Sequence, residues 1–203
     1  MVDVSLFEPL LRIMESVVVR HDQTGAVKSR LGNQMEEDVP RNIYATADGG
    51  HIAISCGSQA IFDRLTEAIG RADLQCDPRY ATMAERVANR DAIDADVATW
   101  MRAQPTAAAL QRLLAHGVVA GRVNDIADVL RDEHVLARDA IVTVADPVLG
   151  PMRLPAPVPK LSATPGGVRW TGRRPGADND RVFGELLGLP ADEIAALRQK
   201  GVI

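Results

Sequence analysis

The chain has 203 residues, enough for one domain or two small ones, and 46% of them are hydrophobic, so a real core is within reach. Aromatics make up only 3%, which leaves aliphatic side chains to build that core. A formal charge of -4 argues against a general nucleic-acid binder, which needs a basic stripe to meet phosphates, and Arg173-Arg174 is too short to supply one.

The first helical signal is Ser5-Leu-Phe-Glu8, a capping-box pattern in which the hydroxyl accepts from the amide three residues on. Apolar residues follow at Leu6, Phe7, Leu10, Leu11, Ile13, Met14, Val17 and Val18 and cover more than one face, the pattern of a buried helix. Two readings of it stand. Either later elements wrap it, or it belongs to a larger domain whose N-terminal part is not in this chain. Nothing in this leader has the basic n-region of a signal peptide, and Asp3, Glu8 and Glu15 interrupt it. No run approaches the length of a membrane span.

From His21 to Arg41 periodicity is lost among Gly25, Gly32, Asn33 and the acidic Glu36-Glu37-Asp38, which predicts a linker. Tyr44 to Thr46 reads as extended, Asp48-Gly49-Gly50 as a hairpin turn and Ile52 to Ile54 as a buried strand. Ser58 caps a helix carrying Ile61, Phe62, Leu65 and Ile69, with Gly70 as terminator. Asp77-Pro78-Arg79-Tyr80 is a turn. Helical pattern returns with Ile93, Val97, Trp100 and Met101 on one side, and Asp91, Asp94 and Asp96 on the other as solubility charges. Pro105-Thr106 opens a helix with Leu110, Leu113 and Leu114 inward, ended by Gly117. A strand follows at Val118 to Val123, then a helix capped by Asn124 or Asp125 and carrying Ile126, Val129 and Leu130. Ile141 to Val144 and Met152 to Leu154 are strands around a turn at Asp146 to Gly150. After the Pro- and Gly-rich stretch from Pro155 to Pro175 come two helices, Asn179 to Leu187 and Pro190 to Lys200.

Self-contained catalytic motifs are absent: no P-loop, no GxGxxG after a strand, no HExxH, no paired CxxC and no GxSxG. The four histidines, His21, His51, His116 and His134, are scattered and read as surface or hydrogen-bonded residues. Cys56 and Cys76 offer no disulfide framework and are expected to be reduced, as in a cytoplasmic protein. Cys56 is read as a small packed residue, because no His or Asn arrangement accompanies it. The segment with the look of a site is Ser55-Cys56-Gly57-Ser58-Gln59. It joins a strand to a helix start, where free amides can hold an anionic oxygen and Gly57 lets a ligand approach. Its other reading is an ordinary strand-to-helix loop with a serine cap.

In order along the chain, several segments resemble class III CoA-transferases, the superfamily of formyl-CoA and carnitine CoA-transferases and α-methylacyl-CoA racemase. They are Val2-Asp-Val-Ser-Leu6-Phe-Glu8; Gly32-Asn33 with Pro40 and Tyr44-Ala-Thr-Ala-Asp48-Gly49; Asp77-Pro78-Arg79-Tyr80 with Arg86 and Asn89; Gly117 to Val123, with Val119 where the family has proline; His134 to Arg138; and the tail through Leu186, Gly188, Glu193 and Gly201 to Ile203. The resemblance implies an α/β fold, an α+β small domain flanked by linkers and by helices of an incomplete large domain. On that map residues 1–20 end the large Rossmann-like domain, 21–43 are a linker, 44–140 are the small domain, and 141–203 are the return linker and C-terminal helices. It implies transfer of CoA between carboxylic acids through an aspartyl anhydride. The catalytic aspartate and most CoA contacts lie upstream of the position matching Val2, so no residue here inherits the nucleophile and the chain alone is expected to be inactive. Gly57 and Ser58 are the implied substrate-binding residues. Coenzyme A is a substrate and no cofactor is covalently bound. The implied partners are an acyl-CoA and either a second copy in a homodimer or a chain carrying the N-terminal half, with no nucleic acid and no membrane. A non-catalytic assembly module is the alternative. A racemase-branch fragment is the third reading, although that branch has a glutamate where this chain has Ser58.

Overall fold

A computed structural model describes residues 3–203. They divide into two compact units, one running to Val123 and the other from Asn124. The resemblance sets its corresponding boundary later, at residue 141.

The first unit opens with α1 (Glu8–Ile13) and α2 (Glu15–Thr24), separated at Met14 where a single helix was expected. The Ser5 hydroxyl accepts from the Glu8 amide at 3.1 Å, so that half of the capping motif forms. Neither helix has a buried residue; Leu6 is 98% and Ile13 80% exposed. Within the first unit, then, no later element wraps this segment among the described residues. Helix α2 also extends through His21 to Thr24, which the sequence assigns to a linker, and stops at Gly25 in the left-handed conformation.

Strands β1 (Arg41–Ala45), β2 (His51–Ser55) and β3 (Ala120–Arg122) form an antiparallel sheet in that order, with Tyr44 opposite Ile52 and Ala53 opposite Gly121. The expected strand from Val118 to Val123 thus contracts to three residues. Against the sheet lie α3 (Gln59–Ala68), α5 (Arg90–Arg102) and α6 (Thr106–Ala115), with short 3-10 turns at Ala72–Cys76 and Pro78–Tyr80 and α4 (Met83–Ala88) between α3 and α5. Alternation on β2 sends Ile52 and Ile54 inward, where they meet Leu65, Val97, Met101 and Leu113. A second cluster, Val39, Phe62, Leu74, Tyr80 and Ile93, packs beside the first. Helix α6 buries Ala109 and Leu113, but Leu114 is exposed, contrary to expectation. It lies 100° round the helix from Leu113, outside the stripe that Ala109 and Leu113 share.

The β1–β2 turn does more than reverse the chain. Gly49 takes φ +79°, and a Cβ on Gly50 would sit 2.1 Å from Thr106 Oγ1. That close approach lets Asp48 accept from the Thr106 amide (3.1 Å to Oδ2) and hydroxyl (2.6 Å), capping α6 from a distant turn. The Thr106 hydroxyl, then Thr46 and the Thr106 amide, hold the Asp48 carboxyl well below the usual carboxylate range.

The second unit contains α7 (Ile126–Val129), α8 (Glu133–Ala137), the hairpin of β4 (Ile141–Asp146) and β5 (Gly150–Pro155), and α9 (Ala191–Gln199). Asp125, one of the two caps considered, closes a full capping box with Asp128. The helix expected from Asn179 is wound as a π-helix over Asp180–Leu186. Only Ile194 is a buried apolar residue among those described in this unit.

Candidate functional site

Strand β2 ends at Ser55 and α3 begins at Gln59, so Cys56, Gly57 and Ser58 form the corner that the sequence singles out. Ser58 is extended, with φ -146° and ψ 161°, and its hydroxyl accepts from the Ile61 amide at 3.4 Å. The serine-cap reading is therefore realised. Gly57 and Ser58 are both exposed. A Cβ on Gly57 would meet Asp38 at an ordinary 3.7 Å, so no described neighbour demands glycine there. Cys56 is buried, and burial pushes its thiol up to about 12. A neutral, enclosed thiol is not a nucleophile, which agrees with the packed reading.

The corner is clamped by the segment leading into β1. The Cys56 amide donates to the Pro40 carbonyl at 3.0 Å. Arg86, on α4, is only 1% exposed and reaches several groups at once, the Met83 sulfur among them. Its Nε donates to the Val39 carbonyl (3.0 Å), and Nη1 to the Tyr80 carbonyl (2.9 Å) and the Gln59 side-chain oxygen. Its guanidinium lies 4.6 Å from the Phe62 ring centroid. Burial pulls its pKa down from the ordinary arginine value. Sequence reasoning noted Arg86 only as part of a motif.

A second constellation surrounds Asp94. It accepts from Gln34 (2.6 Å), Asn42 (3.0 Å) and the Tyr44 hydroxyl. Burial first, then Asp94, pushes the Tyr44 phenol well above its ordinary value, so it stays a neutral donor. Asp96 pairs with Arg71 at 2.9 Å. These two carboxylates are structural links and not the solubility charges expected. The periodicity showed which side of the helix they occupy but not that β1 and distant side chains meet that side.

On the sheet face opposite the helices, a shallow cleft is lined by Asn33, Arg41, Ile43, Ala53, Ser55 and Gly121, among others. It adjoins the corner through Ser55. His21 and His116 bond backbone carbonyls and His51 is exposed. No group of three potential metal ligands occurs among the described residues, and no described helix is long and apolar enough to cross a membrane.

The family profile described as CoA-transferase family III matches residues 1–181. The succinyl-CoA–D-citramalate CoA-transferase of Chloroflexus aurantiacus is 41% identical over 203 residues, covering 100% of this chain and 50% of that protein. The succinyl-CoA–L-malate CoA-transferase beta subunit of the same organism is 34% identical, again over 100% of this chain and 50% of that protein. The chain thus spans about half the length of the curated relatives it matches. Among solved structures, a CAIB/BAIF family protein from Brucella suis superposes with a TM-score of 0.72 at 24% identity, over 91% of this chain and 47% of that one. It has the same mixed α/β fold.

Proposed function

The chain belongs to CoA-transferase family III, and we propose that it forms the small α/β domain and C-terminal helices of an enzyme that moves coenzyme A from an acyl-CoA donor to a free carboxylic acid. An aspartate carboxylate takes the acyl group from the thioester as a mixed anhydride, releasing the CoA thiolate. The thiolate attacks the aspartyl carbonyl of that anhydride, which frees the donor acid and leaves an aspartyl-CoA thioester. The acceptor carboxylate displaces the thiolate to form a second mixed anhydride, and the thiolate then attacks its acceptor-acyl carbonyl, releasing the new acyl-CoA and the aspartate. We place that aspartate in the part of such proteins that this chain does not span. The corner at Gly57 and Ser58, braced by Arg86, forms the small-domain wall beside the acyl group. The acyl group is a dicarboxylate half-thioester, of which succinyl-CoA is one case.

The single observation that carries this reading is the alignment of the whole chain with a transferase named for succinyl-CoA and D-citramalate. The exposed apolar surface of α1 and α2 supports an obligate partner, either a chain carrying the remaining half or a second copy. Free Cys56 and Cys76 fit a reducing cytoplasm. Ser58 stands where the racemase branch has glutamate, so that branch's carboxylate is not supplied at this position, and the Asp38 carboxylate near Gly57 is paired with Arg41.

The test is an assay of CoA transfer from succinyl-CoA to D-citramalate. The chain by itself gives no product, and the chain combined with a polypeptide supplying the other half does. Measurable transfer by the purified chain alone refutes the placement of the aspartate. No transfer by the combined chains refutes the function.

A further inference from the structure

The open face of the three-stranded sheet has a distribution of groups that the corner at Gly57 and Ser58 does not explain. Its floor is small and apolar, with Ile43, Ala53 and Gly121 aligned across β1, β2 and β3. No described neighbour lies within 4 Å of where a Cβ on Gly121 would sit, so the floor is open above that strand. Around it stand Asn33, Ser55 and Arg41, and Arg41 is the one charged residue among the described lining residues. The Arg41 Nη1 donates to Asp38 at 2.9 Å. Its remaining donors, the Asn33 carboxamide and the Ser55 hydroxyl have no side-chain partner among the described residues. A guanidinium offers five donors in a fixed fork, so one bond to Asp38 leaves an edge for a second carboxylate.

We propose that this cleft holds the distal carboxylate of a short dicarboxylate chain, with Arg41 as the specificity-determining residue. The methylene stem lies over Ile43, Ala53 and Gly121, and Arg41, Ser55 and Asn33 meet the terminal carboxylate. Apolar chain and charged end then each find their match, while a monocarboxylate of the same length leaves the Arg41 edge unpaired. The assignment of an acyl-CoA to the adjoining corner rests on the function proposed above, but carboxylate binding in the cleft can be measured without it.

The experiment titrates the 203-residue chain with succinate while following backbone amide chemical shifts. Saturating shifts at Ile43, Ala53 and Gly121 are expected, with none from the neutral diamide succinamide. Arg41→Gln weakens binding by about tenfold or more, the loss expected for one hydrogen-bonded charge pair, and Arg41→Lys retains part of it. A circular-dichroism melt checks that each variant folds, as the half-exposed Arg41 should allow. Absence of binding, equal affinity for succinamide, shifts confined to other residues or an unchanged Arg41→Gln variant each overturn the proposal. So does loss of succinate binding when the complementary half is added, because polypeptide then covers the cleft. In the combined enzyme, Arg41→Gln raises KM for succinate about tenfold and leaves that for butyrate unchanged. Transfer activity with no such split sinks the cleft assignment alone. Absence of any transfer sinks the functional reading and leaves the titration to decide the cleft.

Discussion

Residues 39–118 and the segments on either side contain similar apolar side chains but use them differently. Every buried apolar residue among those described, apart from Ile194, lies in that central stretch. Before it, Leu6, Phe7, Leu10 and Ile13 are exposed, and after it so are Val148, Leu149, Leu186 and Leu187. The central stretch closes a sheet against three helices and satisfies its own apolar stripes. Among the described residues, those apolar side chains on the flanks stay exposed. Helix amphipathicity does not separate the two cases, because burial needs a second surface as well as a stripe.

The largest effect that tests this contrast comes from truncating each region. Phe62→Ala, in the second core cluster, should cost about 3–5 kcal/mol in denaturant unfolding. Leu6→Ser should stay within about 0.5 kcal/mol of the parent chain and reduce self-association in sedimentation. A large loss at Leu6 would break the comparison. Next, Arg86→Met removes the donor that serves the Val39 and Tyr80 carbonyls, and should cost about 2–4 kcal/mol by leaving buried acceptors unpaired. Gly50→Ala forces a methyl onto Thr106 and should cost about 1–3 kcal/mol, whereas Gly121→Ala, facing open space, should cost under about 1 kcal/mol. Hydrogen exchange sharpens the same contrast, with slow amides on β2, α3 and α5 and fast ones on α1 and α2.

The smallest effect is on acid stability. Asp48 has a folded-state pKa below its unfolded value of about 4, so its contribution is complete above that value and is lost as pH falls from there toward the folded pKa. Asp48→Asn should therefore lower Tm at pH 7 and flatten the dependence of Tm on pH below about 4. An unchanged acid slope would remove Asp48 from the account.

Much of the central fold is legible in the residues. The Asp48-Gly49-Gly50 turn, the alternation of Ile52 and Ile54, the Ser58 cap and the terminators Gly70 and Gly117 are local signals, and each occupies its expected place. The candidate corner at Gly57 and Ser58 was legible for the same reason, since a strand, a glycine, a cap and a helix are adjacent in sequence. Arg86 and Asp94 were not. Their partners lie far away along the chain, at Val39 and Gln59 for Arg86 and at Gln34, Asn42 and Tyr44 for Asp94. Residue type alone favoured solvent for both.

By itself, then, the sequence determined the turns and local caps of the central stretch, the inward positions Ile52 and Ile54 and the family likeness carried by the ordered motifs. These depend on backbone preferences and periodicity over a few residues. The tertiary structure decided which polar groups are enclosed and which apolar stripes have a surface to meet. It drew Arg86 into the interior, made Asp94 a junction for β1 and left α1 and α2 open, because desolvation depends on what packs against a residue and not on the residue's own chemistry.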